Sequence, residues 1–297
     1  YGTDNHGHGT HVASIIAGER DGSGMRGVAY DATLYDYKVN NDTSNTLVGV
    51  ADDSTMATVF NRHVTDNIKV SNNSWGDSSI ITSYTAATLR SAYPNTIAAM
   101  RAAQNNGTLI IFIAHNYGRS QPTVLGGLPY RITELADEWL TVISVDSSLI
   151  ETNYTNRCGV AADFCVTAPG GGDTAATDGI LAAEANGTYI RKSGTSMAAP
   201  LVSGLAATLM EKFPSLTAAQ IATRIKSTAS YTGLTGSGGQ TSANSSTATM
   251  QAIFGHGLIN GTAASGSIGN YIYANGNNLS NGSNLSASKI SLPSGLP

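Results

Sequence analysis

Charge is scarce in this chain. Of its 297 residues only 12% are Asp, Glu, Lys or Arg, about half the share of an ordinary soluble domain. Sixteen basic against twenty acidic side chains leave a net charge of −4. Lys and Arg are scattered with no polybasic run, which argues against nucleic acid as a partner. Long apolar runs are missing as well. The longest, Leu109 to Ala114, is far too short to span a bilayer. No charged stretch with an apolar segment behind it follows Tyr1, so the sequence is expected to start inside a larger precursor. Cysteine is limited to Cys158 and Cys165. Their closeness permits a disulfide loop worth about 2–3 kcal/mol; two buried free thiols are the alternative. Low charge, abundant Ser, Thr, Asn and Gly, and a candidate disulfide favour an exported protein. There is no internal repeat.

The stretch Gly194-Thr195-Ser196-Met197-Ala198-Ala199-Pro200 stands out from this background. It opens an apolar segment, Leu201 to Phe213, with Leu201, Leu205 and Leu209 on one face and Val202, Ala206 and Phe213 beside it. That spacing predicts a buried helix with Pro200 tolerated in its first turn. Ser196 then sits at a helix N-terminus, where free N–H groups favour negative charge. It is either an ordinary cap or a nucleophile whose own N–H faces the oxyanion that attack creates.

Upstream, His6-Gly7-His8-Gly9-Thr10-His11 leads into a short apolar helix stopped by Gly18. Three histidines in six residues invite a metal, but no His-Glu-x-x-His pattern or cysteine cluster supports one. Strands are expected over Ala32–Val39, Ile68–Gly76, Leu109–Ala114, Trp139–Val145 and Ala161–Pro169, with helices near 54–63 and 95–104. The run Leu109–Ala114 is apolar throughout, as in a parallel sheet covered on both faces. Thr217 and Gln220 form a capping box, with Leu216 and Ile221 as its staple, for a helix to about Thr228. Ser230–Thr249 reads as loop, Asn186–Lys192 as a lead-in to the serine, and Asn275–Asn284 as linker. Alternating strands and helices make an α/β fold, whose ligands bind at the carboxyl ends of the strands. Ser74-Trp75-Gly76 and Asn116 both lie at such ends.

A serine nucleophile needs a base and donors for its oxyanion. His8, Asn116 and the Ser196 N–H can fill those roles, although spacing alone does not show that they meet. Asn116 can equally be a turn residue, and Trp75 a core aromatic.

His8-Gly9-Thr10-His11-Val12-Ala13 together with Gly194–Pro200 resembles the subtilisin family of serine proteases. Asn73–Gly76, Ala114–Gly118, Ala168-Pro169-Gly170 and Gly255–Asn260 resemble further family segments in the same order, so the likeness covers about residues 6 to 263. The resemblance implies a three-layer sandwich, a mostly parallel sheet with helices on both faces. It implies a secreted endopeptidase with Ser196 as nucleophile, His8 as general base and then acid, and Asn116 as oxyanion donor. Ser74-Trp75-Gly76 would pair with an extended substrate peptide, Trp75 lining a side-chain pocket, while His11 is structural. No cofactor is required; a structural calcium ion is common in relatives, and Asp21 could contribute to one. The segment Cys158–Cys165 and the Asn/Gly-rich tail look most like the passenger proteases of bacterial autotransporters, hence an expected secreted or cell-surface location and a C-terminal translocator region. The expected division is a catalytic domain over 1–262 and a linker over 263–297.

Two departures stand out. The family's triad aspartate precedes the histidine, at the end of an apolar strand and before Thr-Gly or Ser-Gly; Asp4 has no strand before it and is not assigned. The aspartate is expected on an upstream segment. Second, His115 stands where the family usually has glycine, beside the oxyanion Asn and the first specificity pocket. An inactive subtilase-like module for binding or adhesion is therefore the alternative, and a metal-dependent hydrolase using His6, His8 and His11 a more distant one.

Overall fold

The computed structural model describes residues 4–37, 39 and 51–266. In chain order it forms α1 (His8–Ala17), α2 (Asp53–Thr65), β1 (Val70–Asn73), α3 (Ala86–Ala92), α4 (Pro94–Asn105), β2 (Leu109–Ile113), β3 (Trp139–Val145), β4 (Cys165–Pro169), α5 (Ala175–Asp178), β5 (Ile180–Ala183), β6 (Tyr189–Lys192), α6 (Thr195–Lys212), α7 (Ala218–Thr228), α8 (Thr247–Phe254) and α9 (Gly261–Ala264). Strands β1 to β4 make one sheet in the order β1-β2-β3-β4, parallel throughout. A separate antiparallel hairpin pairs β5 with β6.

Alternation along β2 explains the layers. Leu109, Ile111 and Ile113 pack with Val202, Ala206 and Leu209 of α6 and Ile221 and Ile225 of α7. Ile110 and Phe112 face the other way, onto Met56 and Phe60 of α2 and Ile97 and Met100 of α4. Successive side chains point to opposite faces, so a strand covered on both sides must be apolar at every position. All five β2 residues are buried. The result is the expected sandwich, with helices on both faces of a parallel sheet.

Local signals set the helix ends. Asp52 caps α2 by accepting from Thr55 N–H. Asp53 reaches out of α2 to accept from Thr96 N–H at 2.8 Å, so one helix supplies the cap of α4. Thr217 and Gln220 form the capping box of α7, and Leu216 and Ile221 pack in the same cluster.

Several expectations are corrected. Ala32–Tyr37 is not a strand: it runs as exposed coil, with Leu34 43% and Tyr35 52% exposed, while Lys38 lies outside the described residues. Its composition suits a strand, but among the described residues no strand pairs with it. Ala161–Phe164 belongs to a 3₁₀ turn (Gly159–Phe164), and only Cys165–Pro169 is strand. The turn is closed by a Cys158–Cys165 disulfide, so the two cysteines are bonded and not free. Tyr189–Lys192, expected as a plain lead-in, forms β6. Helix α8 begins inside the expected loop, capped by Ser246 accepting from Thr249 N–H. Pro200 is the sixth residue of α6 and thus inside the helix, not in its first turn. The expected linker residues Asn275–Asn284 lie outside the described residues.

Candidate active site

A cleft of about 1640 Å³ is lined by His8, Ser196 and Asn116 together, with Ser74, Trp75, Gly76 and His115 in the same wall. Residues from α1, the end of β1, the end of β2 and the start of α6 thus meet in one place, at the carboxyl ends of the parallel strands.

Asp4 arranges the N-terminus of α1. Its carboxylate accepts from His6 N–H at 3.1 Å, from Gly7 N–H and Thr10 N–H at 2.8 Å, and from the Thr10 hydroxyl at 2.8 Å. Burial works against its charge, but these bonds hold its pKa below the usual value. The oxygens are committed to the helix end, so Asp4 is a cap and not a partner of the His8 ring. Gly7, at φ 75°, stands directly before His8. That positive φ suits glycine, and the Glu184 carboxylate packs where a Cβ would stand. Glu184 pairs with Lys192 at 3.0 Å.

The His8 ring is held neutral. Burial, then the positive charges of His6, Lys192 and His11, pull its pKa down to about 4, against a weaker opposing pull from Asp4. His11 is structural, as expected. Its Nε2 meets the Ile190 carbonyl at 3.1 Å, tying α1 to β6.

Ser196 is the second residue of α6 and only 8% exposed. Its N–H belongs to the first turn, where no intrahelical acceptor exists. Its hydroxyl donates to the Ser74 carbonyl at 3.3 Å. Its own carbonyl would normally receive the N–H four residues on, but that residue is Pro200 and has none. The Ser74 hydroxyl takes the vacancy, donating to Ser196 O at 3.0 Å.

Asn116 is held by a residue the sequence reading passed over. Thr195 N–H and the Thr195 hydroxyl both donate to Asn116 Oδ1, at 2.9 and 2.8 Å. With the oxygen occupied, the amide orientation is fixed, and Nδ2 is the face left for a ligand. Thr195 could have been noticed from its place before the serine, but its contact lies 79 residues away in sequence. Trp75 lines the cleft, and its ring meets Phe112 edge-on at 5.2 Å. Phe112 in turn stacks on the fully buried Trp139 at 5.1 Å.

Among the described residues no group of three His, Cys, Asp or Glu side chains could hold an ion. Asp21, considered for calcium, accepts from Ser23 N–H at 2.9 Å on an exposed loop. His6 and His8 stand edge-on at 6.2 Å, and His11 turns to Ile190.

A parallel α/β sandwich with a serine at a helix N-terminus, a neutral histidine and an oriented asparagine in one cleft defines a class of hydrolase. The comparisons give the family. A model described as "Subtilase family" matches residues 2–257. An extracellular serine protease of Serratia marcescens is 32% identical over 289 residues, covering 77% of this chain and 26% of that protein. Subtilisin DY of Bacillus licheniformis is 32% identical over 234 residues, covering 78% of this chain and 74% of that protein. Among solved structures, sphericase aligns with a TM-score of 0.58 at 26% identity, covering 76% of this chain and 70% of that one. A cold-adapted subtilisin-like serine proteinase aligns with a TM-score of 0.58 at 26% identity, covering 80% and 74%. The chain belongs to the subtilase family of serine endopeptidases. It spans 26% of the length of the Serratia relative.

Proposed function

We propose that the protein is a secreted serine endopeptidase that cleaves peptide bonds through a Ser196 acyl-enzyme. The observation that carries this reading is the Thr195–Asn116 pairing, which leaves the amide N–H₂ free; a Cβ on Gly194 would lie 3.3 Å from Asn116 Nδ2 and 3.7 Å from Ser196 N, so both groups border one spot as two donors for one oxyanion. Ser196 Oγ attacks the substrate carbonyl carbon, and His8 takes the hydroxyl proton. The tetrahedral oxyanion is held by Ser196 N–H and Asn116 Nδ2. His8 then returns the proton to the leaving amine, and water hydrolyses the ester by the same steps in reverse. The substrate lies extended along Ser74-Trp75-Gly76, adding a strand. An inactive binding module would have no need of an oriented amide at this point.

The base lacks an orienting carboxylate among the described residues, and an upstream segment is proposed to bring it. The support is the shape of the cleft beyond the catalytic residues. It continues between Ala32–Tyr37 on one side and Ile68–Asn73 on the other, with Val12 and Ile16 of α1, Ser203 of α6 and His63 of α2 around it. Among the described residues, strand β1 is bonded to β2 on one edge only. Its other edge has the backbone groups to receive one more strand. A strand seated there enters the same sheet and ends near His8, where an aspartate would fix the imidazole tautomer and stabilise the imidazolium. Secretion is supported by the disulfide and by relatives named extracellular proteases. A translocator region following the catalytic unit fits the Cys158–Cys165 likeness and the greater length of the Serratia relative.

The deciding experiment is intact-mass analysis after reaction with a fluorophosphonate, on this chain alone and co-expressed with its upstream segment. An adduct formed with the segment present, and lost in Ser196→Ala, is expected. No adduct in either folded preparation would overturn the assignment and favour the binding module.

A further inference from the structure

His115 occupies a conformation and a place that its neighbours explain only in part. Its φ is 90°, in the left-handed region that glycine favours and a histidine enters at a cost. The surrounding backbone holds it there. Asn156 N–H donates to the His115 carbonyl at 2.8 Å, Asn156 Nδ2 donates to Ala114 O at 3.0 Å, and Tyr117 N–H donates to Asn156 Oδ1 at 3.0 Å.

The ring spans the gap between the two walls of the substrate channel. Its Nδ1 accepts from Asn116 N–H at 2.9 Å. Across the gap the ring faces the Gly76 backbone. A Cβ placed on Gly76 would lie 3.1 Å from His115 Cδ2 and 3.8 Å from Nε2, so ring and strand are in contact with nothing between. Tyr117 stacks on the imidazole at 4.5 Å with 13° between planes, and the Arg119 guanidinium lies 4.8 Å over Tyr117. Arg119 then donates to the Ser78 carbonyl on the opposite wall. The channel is thus bridged twice, by the imidazole inside and by the guanidinium at the rim. Behind Gly76 lies Thr123, fully buried, with its hydroxyl unpartnered among the described residues.

A substrate bound as proposed above has its carbonyl carbon at Ser196 and its oxyanion at Asn116. The side chain on the acyl side of that carbonyl must enter between Gly76 and the residue next to Asn116. We propose that His115 is the specificity-determining residue of this site: its ring closes the recess for the acyl-side side chain, so the enzyme takes glycine, alanine or serine there and rejects aromatic and long aliphatic residues. Nδ1 is taken by the Asn116 N–H and burial disfavours the charged ring, so the imidazole offers a steric wall and not a charge for an acidic side chain.

This inference rests on the serine-endopeptidase reading, and the test separates the two. Peptides identical except for Ala, Leu or Phe before the scissile bond are assayed for kcat/KM with the full-length protein, alongside fluorophosphonate labelling. The expected result is at least a tenfold preference for Ala over Phe. His115→Gly, which suits the backbone angle and opens the recess towards Thr123, is expected to shift the Phe/Ala ratio at least tenfold towards Phe. His115→Asn, which also tolerates a positive φ and is smaller, is expected to shift it in the same direction. A labelled wild-type enzyme that cleaves the Phe peptide as well as the Ala peptide overturns this inference alone, and needs no variant. Absence of both labelling and cleavage overturns the protease reading and this inference with it.

Discussion

Ser74 and Ser196 exchange two hydrogen bonds. The Ser74 hydroxyl donates to the Ser196 carbonyl at 3.0 Å, and the Ser196 hydroxyl donates to the Ser74 carbonyl at 3.3 Å. The strand that would carry substrate is therefore fastened to the residue that would attack it. Pro200 makes the first bond available by withholding a helix N–H.

A double-mutant cycle tests that dependence. Ser74→Ala leaves the Ser196 carbonyl buried without its donor, which should cost about 1–3 kcal/mol. In a Pro200→Ala background the restored N–H can serve the same carbonyl. The Ser74→Ala cost should then shrink by about half or more, as read by denaturant unfolding. Additive effects would show that the proline and the serine act independently.

Asn116→Leu should lower turnover by roughly 10²–10³, a magnitude borrowed from removal of one oxyanion donor in subtilisin, a relative. Thr195→Val keeps the backbone donor to Asn116 but loses the hydroxyl. It should cost about tenfold in kcat with KM little changed, the size of one hydrogen bond. Steady-state kinetics on one peptide substrate measures both.

Acid should weaken the fold before carboxylates titrate. Burial is the largest cause lowering the pKa of His8, to about 4, and also of His11, His63 and His115, all from an ordinary 6.5. Below pH 6.5 the unfolded chain binds protons that the folded chain excludes. Stability is therefore retained above 6.5 and lost as pH falls through that value towards 4. Thermal unfolding midpoints from pH 7.5 to 4 should decline across this window. Seating a carboxylate beside His8 should raise its pKa, so the acid limb of fluorophosphonate labelling should move upward when the upstream segment is present.

Replacing Cys158 and Cys165 together by serine should cost about 2–3 kcal/mol, the loop-closure value for so short a ring. Both sulfurs are fully buried. Labelling of Ser196 at moderate temperature should persist, because the bridge lies on the far end of β4 from the cleft. Denaturation with and without reductant gives the measurement.

Much of the sandwich was legible because β2 and β3 are apolar at nearly every position, and such a strand has no stable place except between two layers. The motifs around His8 and Ser196 singled out two residues, 188 apart in sequence, that line one cleft. Ala32–Tyr37 misled because strand-forming side chains specify a strand only when an edge is there to receive them. The Asp53 cap of α4 and the Thr195–Asn116 bond escaped notice because the partners are separated by tens of residues, beyond any local pattern. The lodging of His115 against Gly76 depends on how two loops meet, which spacing does not encode.

The chain has two tryptophans, and the aromatic column puts them at its two ends. Trp139 is sealed in the core, and Trp75 stands at the lip of the cleft. The pair makes an intrinsic optical gauge. A peptide entering the cleft changes the surroundings of Trp75 alone and should shift part of the emission, whereas global unfolding exposes both indoles. Occupancy and denaturation can thus be told apart by fluorescence, with no label added.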